Sequence, residues 1–396
     1  MPQEGGLRKH RIEFVREDEM GVTPVDPDWG LFSDNVRQIN WNPDANIEPQ
    51  RGIGNPDPKG HHASVETHNV DLTYDLQRFL VDDPAYDGLA RDEDNELPNS
   101  HTLVDREKHH KGGAAGAGFH TYTVGTGGKI GDVSIEGEPD SSQPIPITLN
   151  YQFEKVRPYK IDQPAGATLL TIKSNNQEDV GQELTIEDEG ANTSETIEIN
   201  GETEVTTTSE FESIDVSYLS QECQGDLTIE DSDGNLLMTI NGKETYDGVE
   251  GDLGVPPLGV GSHAEELGTD YEYFLGDEIE RNEEEFAFDI SSVSLSVANN
   301  LDTTPRHNSK KWRINETNRE TQLSATVYGE AASHDRILEH LQTVAKDITW
   351  KLTSTIVKIK KAVLVDGPSR DIEEGQAVMS LDNNFSGEGL EIEKRN

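Results

Sequence analysis

The sequence predicts a mainly β protein with few helices: two similar β-sandwich or barrel units with an acidic immunoglobulin-like β-sandwich inserted between them. Three observations lead there. Apolar and polar residues alternate over short runs in both flanking parts, as in Val70-Asp71-Leu72-Thr73-Tyr74. Residues 165–250 hold closely spaced short strands punctuated by Asn200-Gly201, Asp233-Gly234 and Asn241-Gly242, which suit hairpin turns. The order of elements before that segment resembles the order after it.

Residues 1–35 read as an N-terminal extended arm, rich in Pro and Gly, with Arg11-Ile12-Glu13-Phe14-Val15-Arg16 as its one periodic stretch. Residues 36–164 form the first unit. Its strands include the Val70–Phe79 run and Ile145–Val156, and a short helix is expected over Asp83–Ala90, with Pro84 suited to a first turn. Residues 91–129, with Gly112-Gly113-Ala114-Ala115-Gly116, read as a long loop. The acidic sandwich follows at 165–250, then a linker at 251–285 containing Pro256-Pro257. The second unit spans 286–396, with strands at Ile290–Val297 and Thr321–Tyr328. A helix is expected over His334–Ala345, where Ile337, Leu338, Leu341 and Val344 share one face and Ser333 suits the N-cap; a β-rich stretch at Thr349–Val365 follows. Each unit thus runs strand, strand, helix, hairpin, strand, which predicts a duplication in element order rather than in residue identity.

The 396 residues include 77 Asp+Glu and 33 Lys+Arg, a net charge of -44. The acidic residues alternate with Val, Ile, Leu and Thr, as in Glu183-Leu184-Thr185-Ile186-Glu187, which argues for folded strands and against a disordered tail. A folded surface this acidic suits high salt. At about 1 M the Debye length is roughly 3 Å and carboxylate self-repulsion is screened. The sandwich segment carries 21 Asp+Glu and 2 Lys+Arg, so it is expected to face solvent. Direct binding to DNA phosphates is not expected at this net charge, because it needs Lys and Arg to replace counterions. No run approaches the roughly 18 apolar residues of a membrane span, and Met1–Gly6 lacks a charged-then-apolar signal pattern. The single Cys223 excludes an intrachain disulfide and a Cys-based zinc site.

No catalytic, cofactor or metal site is expected. Gly125-Thr126-Gly127-Gly128-Lys129 has Thr123 and Ile130 where a phosphate loop needs Gly and Ser or Thr, and reads as a turn between strands. His61, His62, Glu66 and His68 could gather a metal, but read as a solvated polar loop. Asp231-Ser232-Asp233-Gly234-Asn235 has its Gly too early for a calcium loop and reads as a hairpin turn. Nucleophile and zinc motifs are absent from the sequence, so an enzyme is not expected. One contrast remains: Lys351, Lys358, Lys360 and Lys361 cluster in an acidic chain. They read either as strand-edge lysines that block unwanted pairing or as a contact for the acidic surface of a neighbouring subunit.

The run Glu17-Asp18-Glu19-Met20-Gly21-Val22-Thr23-Pro24, followed by Trp29, the Val70–Leu80 strand, and Ile290–Leu301 leading to Asn318-Arg319-Glu320-Thr321 together resemble the major tail tube proteins of long-tailed, siphovirus-like viruses. The pattern covers about three-quarters of the chain, with no single specific motif. The resemblance implies two packed antiparallel sheets flanked by a helix, closing with other copies into rings that stack into a tube. Two units per chain would give a trimeric ring with pseudo-sixfold symmetry, one unit a hexameric ring. It also implies an outer immunoglobulin-like decoration, contacts with other tail proteins, no membrane, and viral DNA passing through an acidic lumen without specific binding. Location in the virion tail after synthesis in the host cytoplasm follows, and the acidity is similar to what a virus of a halophilic archaeon would encode. The other reading is a surface adhesin or tail-spike-like receptor-binding β-sandwich protein.

Overall fold

A computed structural model describes residues 10–18, 20–21, 23–24, 29–44, 47–50, 60–63, 67–91, 96–109, 118–137, 143–188, 193–214, 216–219, 223–240, 259–260, 271, 274–281, 284–285, 289–305, 312–328, 345–365, 369–371 and 380–395. The chain is mainly β. Strands β1 (His10–Glu17), β2 (Gly30–Leu31), β3 (Val36–Asp44), β4 (Ile47–Gln50), β5 (Gly60–Ala63) and β6 (Thr67–Asp75) lead to the helix α1 (Ala85–Leu89). Strands β7 (Ser100–His109), β8 (Phe119–Gly137), β9 (Pro146–Phe153) and β10 (Lys155–Asp162) follow. Eight short strands come next: β11 (Thr171–Ser174), β12 (Glu183–Glu187), β13 (Ser194–Glu198), β14 (Val205–Thr206), β15 (Val216–Leu219), β16 (Leu227–Glu230), β17 (Leu236–Ile240) and β18 (Gly259–Val260). The rest comprises β19 (Phe274–Arg281), β20 (Glu284–Glu285), β21 (Asp289–Ala298), β22 (Leu301–Pro305), β23 (Trp312–Glu316), β24 (Glu320–Tyr328), β25 (Lys346–Leu352), β26 (Thr355–Leu364), β27 (Ser369–Asp371), β28 (Ser380–Gly387) and β29 (Gly389–Lys394).

The pairing scheme of the first ten strands recurs in the last eleven. β1 pairs with β2 and β7, as β19 pairs with β20 and β25. β3 pairs with β6, as β21 pairs with β24, and a hairpin joins the members of each pair: β4–β5 in one case, β22–β23 in the other. β9 lies between β6 and β8, as β28 lies between β24 and β27. β10 pairs with the first half of β8, as β29 pairs with the first half of β26. A bulge falls at the same place in both sets, between Val36 and Gln38 opposite β6 and between Ile290 and Ser292 opposite β24. Each bulge inserts one residue, so it bends the strand and shifts its in-out alternation by one position beyond it.

The chain packs as two compact units. One comprises residues 1–31, 101–127 and 155–265. Its centre is a sandwich of two four-stranded antiparallel sheets, ordered β14-β11-β16-β17 and β13-β12-β15-β18. Ile172, Ile229, Met238 and Ile240 from the first sheet meet Leu184, Ile186, Ile197 and Leu219 from the second in one core. Val104, Tyr122, Val124 and Ile161, from β7, β8 and β10, belong to that same core. Gln163 ties the entry point down, accepting from the Ile214 N–H at 2.7 Å and donating to its carbonyl at 3.0 Å. Glu17 is buried and accepts from Thr102 Oγ1 at 2.7 Å, the Gly127 N–H at 2.9 Å and the Gly21 N–H at 2.8 Å. Gly21 has φ +80°, which an L side chain resists, and Trp29 packs on the sandwich core. The Glu17…Gly21…Trp29 pattern is therefore a latch that fixes the N-terminal segment.

The other unit comprises residues 32–100, 128–154 and 266–396. Its main element is a seven-stranded antiparallel sheet ordered β3-β6-β9-β8-β21-β24-β28, with β27 and the end of β26 along the outer side of β28. A second sheet runs β20-β19-β25-β26-β29. Strand β26 serves both, and the change comes at a bulge: Lys361 has φ +48° and its N–H donates to Asp347 Oδ1 at 2.9 Å. Alternation buries Val70, Leu72 and Tyr74 of β6, Ile147, Leu149 and Tyr151 of β9, and Val293, Leu295 and Val297 of β21. Helix α1 lies directly on β8. A Cβ at Gly88 would come within 2.6 Å of Ile130 Cγ2 and 2.7 Å of Val133 Cγ2. Asp83 starts the helix by accepting from the Ala85 N–H at 2.9 Å, and it also accepts from the Tyr74 hydroxyl. Burial, then the Asp83 charge, pushes the Tyr74 phenol well above its usual range.

Several expectations are corrected. Residues 10–17 and 30–31 of the 1–35 arm pair as β1 and β2. The 91–129 loop contains β7 and the first half of β8. Their inward side chains include His101, Thr102, Asp105, Arg106 and His120, so no apolar periodicity marks them. Gly125–Lys129 lies inside β8 rather than in a turn between strands, with Gly127 at φ +67°. The 251–285 linker contributes β18, β19 and β20. The boundaries expected at 165 and 250 fall inside one compact unit. The expected helix over 334–345 lies almost wholly outside the described residues.

Candidate assembly surface

The seven-stranded sheet buries one face and leaves the other open. Register carries one row of cross-strand partners over its full width: Gln38, Thr73, Thr148, Ser134, Ser296, Gln322 and Ser386. Every member is uncharged and able to hydrogen-bond, and each is exposed or half-buried. Thr73 Oγ1 and Thr148 Oγ1 lie 3.0 Å apart, so this pair of neighbours bonds across the strands. The adjacent row runs Asn40, Asp71, Asn150, Asp132, Ala298 and Glu320. Asn150 Nδ2 donates to Asp71 Oδ1 at 2.6 Å. At the equivalent place in the second pairing set, Ser324 Oγ donates to Asn384 Oδ1 at 2.7 Å. Glu136, Ser294, Ser324 and Asn384 form a partial third row. Lys129 stands at one end of the face, opposite Gln152. The three rows hold four carboxylates and no Lys or Arg, so within them phosphate finds no counter-charge.

Partial burial, then the nearby Asp71 charge, raises the Asp132 carboxyl above its ordinary range. The folded state therefore holds this proton to a higher pH than the unfolded chain. The cost of ionising Asp132 sets in as pH rises from its unfolded value through its raised folded value, and it persists above. Asp132→Asn is expected to stabilise the protein by about a few tenths of a kcal/mol at pH 7 and low salt, and to leave it unchanged at pH 3. Urea midpoints at the two pH values check this, and equal midpoint shifts at both would contradict it.

The sheet ends in two edges. Among the described residues β3 pairs only with β6, and β27 only with β28. Exposed edges are templates for pairing with another chain.

The lysine cluster lies on the second sheet and is largely occupied within the chain. Lys358 Nζ meets Glu393 at 2.8 Å; Lys360 meets Glu391 at 3.3 Å and Asp347 at 3.4 Å; Lys361 meets Glu388 at 2.7 Å. Lys351 is half-buried on the same face of β25. Strand β26 is flanked by β25 and β29, so its lysines do not guard an edge. The Lys361 backbone bond, with the Lys360 ammonium, holds the Asp347 carboxyl below its usual range. Hydrogen bonds to Glu391 and Asp347 raise the Lys360 ammonium. Exposed pairs of this kind contribute little each.

His61 and His62 lie in β5 and His68 in β6, while Glu66 lies outside the described residues. Among the described residues no group of three or more His, Cys, Asp or Glu side chains is placed to hold a metal ion. Asp231 instead closes its turn, accepting from the Asp233 and Asn235 N–H groups at 2.9 and 2.8 Å. Among the described residues no helix is long and apolar enough to cross a membrane. A scan of the chain against protein-family models finds no match, and a search of curated proteins finds none.

Sequence reasoning missed the polar row. Its signal was present in Ser292-x-Ser294-x-Ser296 and Thr148-x-Asn150-x-Gln152, uncharged hydrogen-bonding residues at the two-residue period in a chain where carboxylates usually fill such places.

Proposed function

We propose that this chain is the structural subunit of a viral tail tube. Copies join through the two edges of the seven-stranded sheet, and its open face lines the bore. The observation that carries this reading is one sheet built from strands of both flanking parts, joined at β8–β21, in which β3 and β27 have, among the described residues, a partner on one side only. Such a sheet removes its edges by closing with other copies. Three chains then bring six strand groups to the ring, a trimer with pseudo-sixfold symmetry. The contacts from ring to ring are heterologous and extend into a filament. A lining of hydroxyls, amides and a few carboxylates holds no phosphate and lets double-stranded DNA slide. The remaining acidity suits a halophilic setting, the protein is a virion component made in the host cytoplasm, and other tail proteins meet the tube at its ends.

Purified protein in about 1–3 M salt, where surface carboxylates are screened, is expected to give rings or tubes in negative-stain micrographs. Native mass spectrometry is expected to give a ring mass of three chains. A six-chain ring would reject the duplicated subunit, and dispersed monomers at every salt concentration would reject the tube.

A further inference from the structure

The chain contains, between its two strand groups, one worked example of how such groups join. Strand β8 meets β21 with Ser134 opposite Ser296 and Glu136 opposite Ser294. We infer that β27 of one copy pairs antiparallel with β3 of the next in the equivalent register, placing Ser369 opposite Asn42 and Asp371 opposite Asn40. The partner is a second copy of this chain, and the inference rests on the tube reading.

The register follows from the recurrence. The shared bulges match Gln38 with Ser292, and so Asn40 with Ser294 and Asn42 with Ser296. They also match Thr73 with Thr326, the partners of Gln38 and Ser292. Thr73 pairs onward with Thr148, and Thr326 with Asp382. Thr148 then pairs with Ser134, and Asp382 with Ser369. Ser369 therefore stands in its group where Ser134 stands in the first. The internal junction Ser134–Ser296 translates to Ser369–Asn42. One edge of the sheet is thus equivalent to a strand that already has a partner of the other edge's type. Trp41 and Arg370 fall opposite each other in the same register.

The test is directed crosslinking of the full chain in the high-salt buffer used for imaging. Directly opposed residues of antiparallel strands lie about 4.5–5.5 Å apart at Cα, within disulfide reach, whereas a two-residue slip moves them to about 7–8 Å. The native Cys223 is buried, and burial with the nearby Asp179 charge pushes its thiol up to about 12, so it stays out of the reaction. The double variant Asn42→Cys/Ser369→Cys, oxidised with copper-phenanthroline, is expected to give ladders ending at three chains on a non-reducing gel. It should yield about tenfold more crosslink than Asn42→Cys/Asp371→Cys, whose sites are slipped by two residues. Either single variant is expected to give none. Rings that assemble but crosslink no better in register than out of register would overturn the register while leaving the tube standing. Failure of the wild-type chain to form rings would overturn both. Far-UV circular dichroism on each variant checks that it is folded, and Asn40→Cys/Asp371→Cys repeats the test at a second in-register pair.

Discussion

Deleting residues 165–250 is expected to abolish soluble expression of the remaining chain rather than to yield a trimmed but competent subunit. An outer decoration joined by flexible linkers would be dispensable, and the acidity of this segment suggests such a domain. The packing says otherwise. Tyr122 is fully buried, and Val104, Val124 and Ile161 are at most 4% exposed, and all four belong to the sandwich core. Removing the sandwich strips their cover. Each large side chain returned to water costs about 1.5–3 kcal/mol, so the loss rivals the whole stability of a typical domain. Gln163 loses both Ile214 partners, and Trp29 loses the surface it packs on. Soluble yield, dye binding to exposed apolar surface and thermal melting of the deletion variant, with residue 164 joined to 251 by a short Gly-Ser linker, measure the effect. A soluble variant that melts cooperatively near the wild-type temperature would show that β7, β8 and β10 are covered without the sandwich.

What could be read from the sequence depended on which kind of residue faces inward. Strand β21 was legible because Val293, Leu295 and Val297 alternate with serines, and β9 because Ile147, Leu149, Tyr151 and Phe153 do the same. β1 showed only as one short periodic stretch in an arm, because Ile12, Glu13, Phe14 and Val15 are all buried and Glu13 meets Arg11 at 2.5 Å. A strand buried on both faces loses its period-two signal, and a buried carboxylate imitates a surface residue. β8 was hidden by its glycines. At Gly128 a Cβ would come within 2.2 Å of the Phe153 ring, so the sequence shows a loop-like Gly run where packing demands a bare backbone. The lysine cluster was visible, but its partners Glu391 and Glu393 lie on β29 and Glu388 just before it, and only the strand pairing brings them alongside. The polar row was hidden for the same reason. Its seven members come from seven strands, and register between distant segments cannot be read along one dimension.

Asp179 is expected to be the side chain whose loss costs the sandwich most. It is fully buried at the end of the tight turn between β11 and β12, and no Lys or Arg is among the partners that hold its carboxylate. Ser174 Oγ donates at 2.5 Å, the Gln224 N–H at 2.7 Å, the Gly225 N–H at 3.1 Å and Gln182 Nε2 at 3.1 Å. Two of the four donors are backbone groups of the segment leading into β16, which must come close: a Cβ on Gly225 would lie 2.2 Å from Asn175 Oδ1. Asp179→Ala removes every acceptor at once and strands the buried Gly225 N–H, the half-buried Gln224 N–H and the Ser174 hydroxyl, with about 1–3 kcal/mol for each buried group. A total of about 4 kcal/mol would lower the melting midpoint by roughly 8–16 °C for a unit of this size. Asp179→Asn keeps the shape but has one acceptor oxygen and an amide that must face donors, so it is expected to lose about half as much. Cys223 supplies a local readout. Its Sγ donates to Gln182 Oε1 at 3.0 Å beside the carboxylate, and burial keeps the thiol unreactive. Labelling of Cys223 by a thiol reagent under native conditions should therefore quicken in Asp179→Ala as the sandwich opens more often. These donors are neutral dipoles in a dry site, so the deficit should persist in molar salt, unlike effects of the surface carboxylates. An unchanged midpoint together with a protected Cys223 would mean that another part of the sandwich holds the turn without this carboxylate.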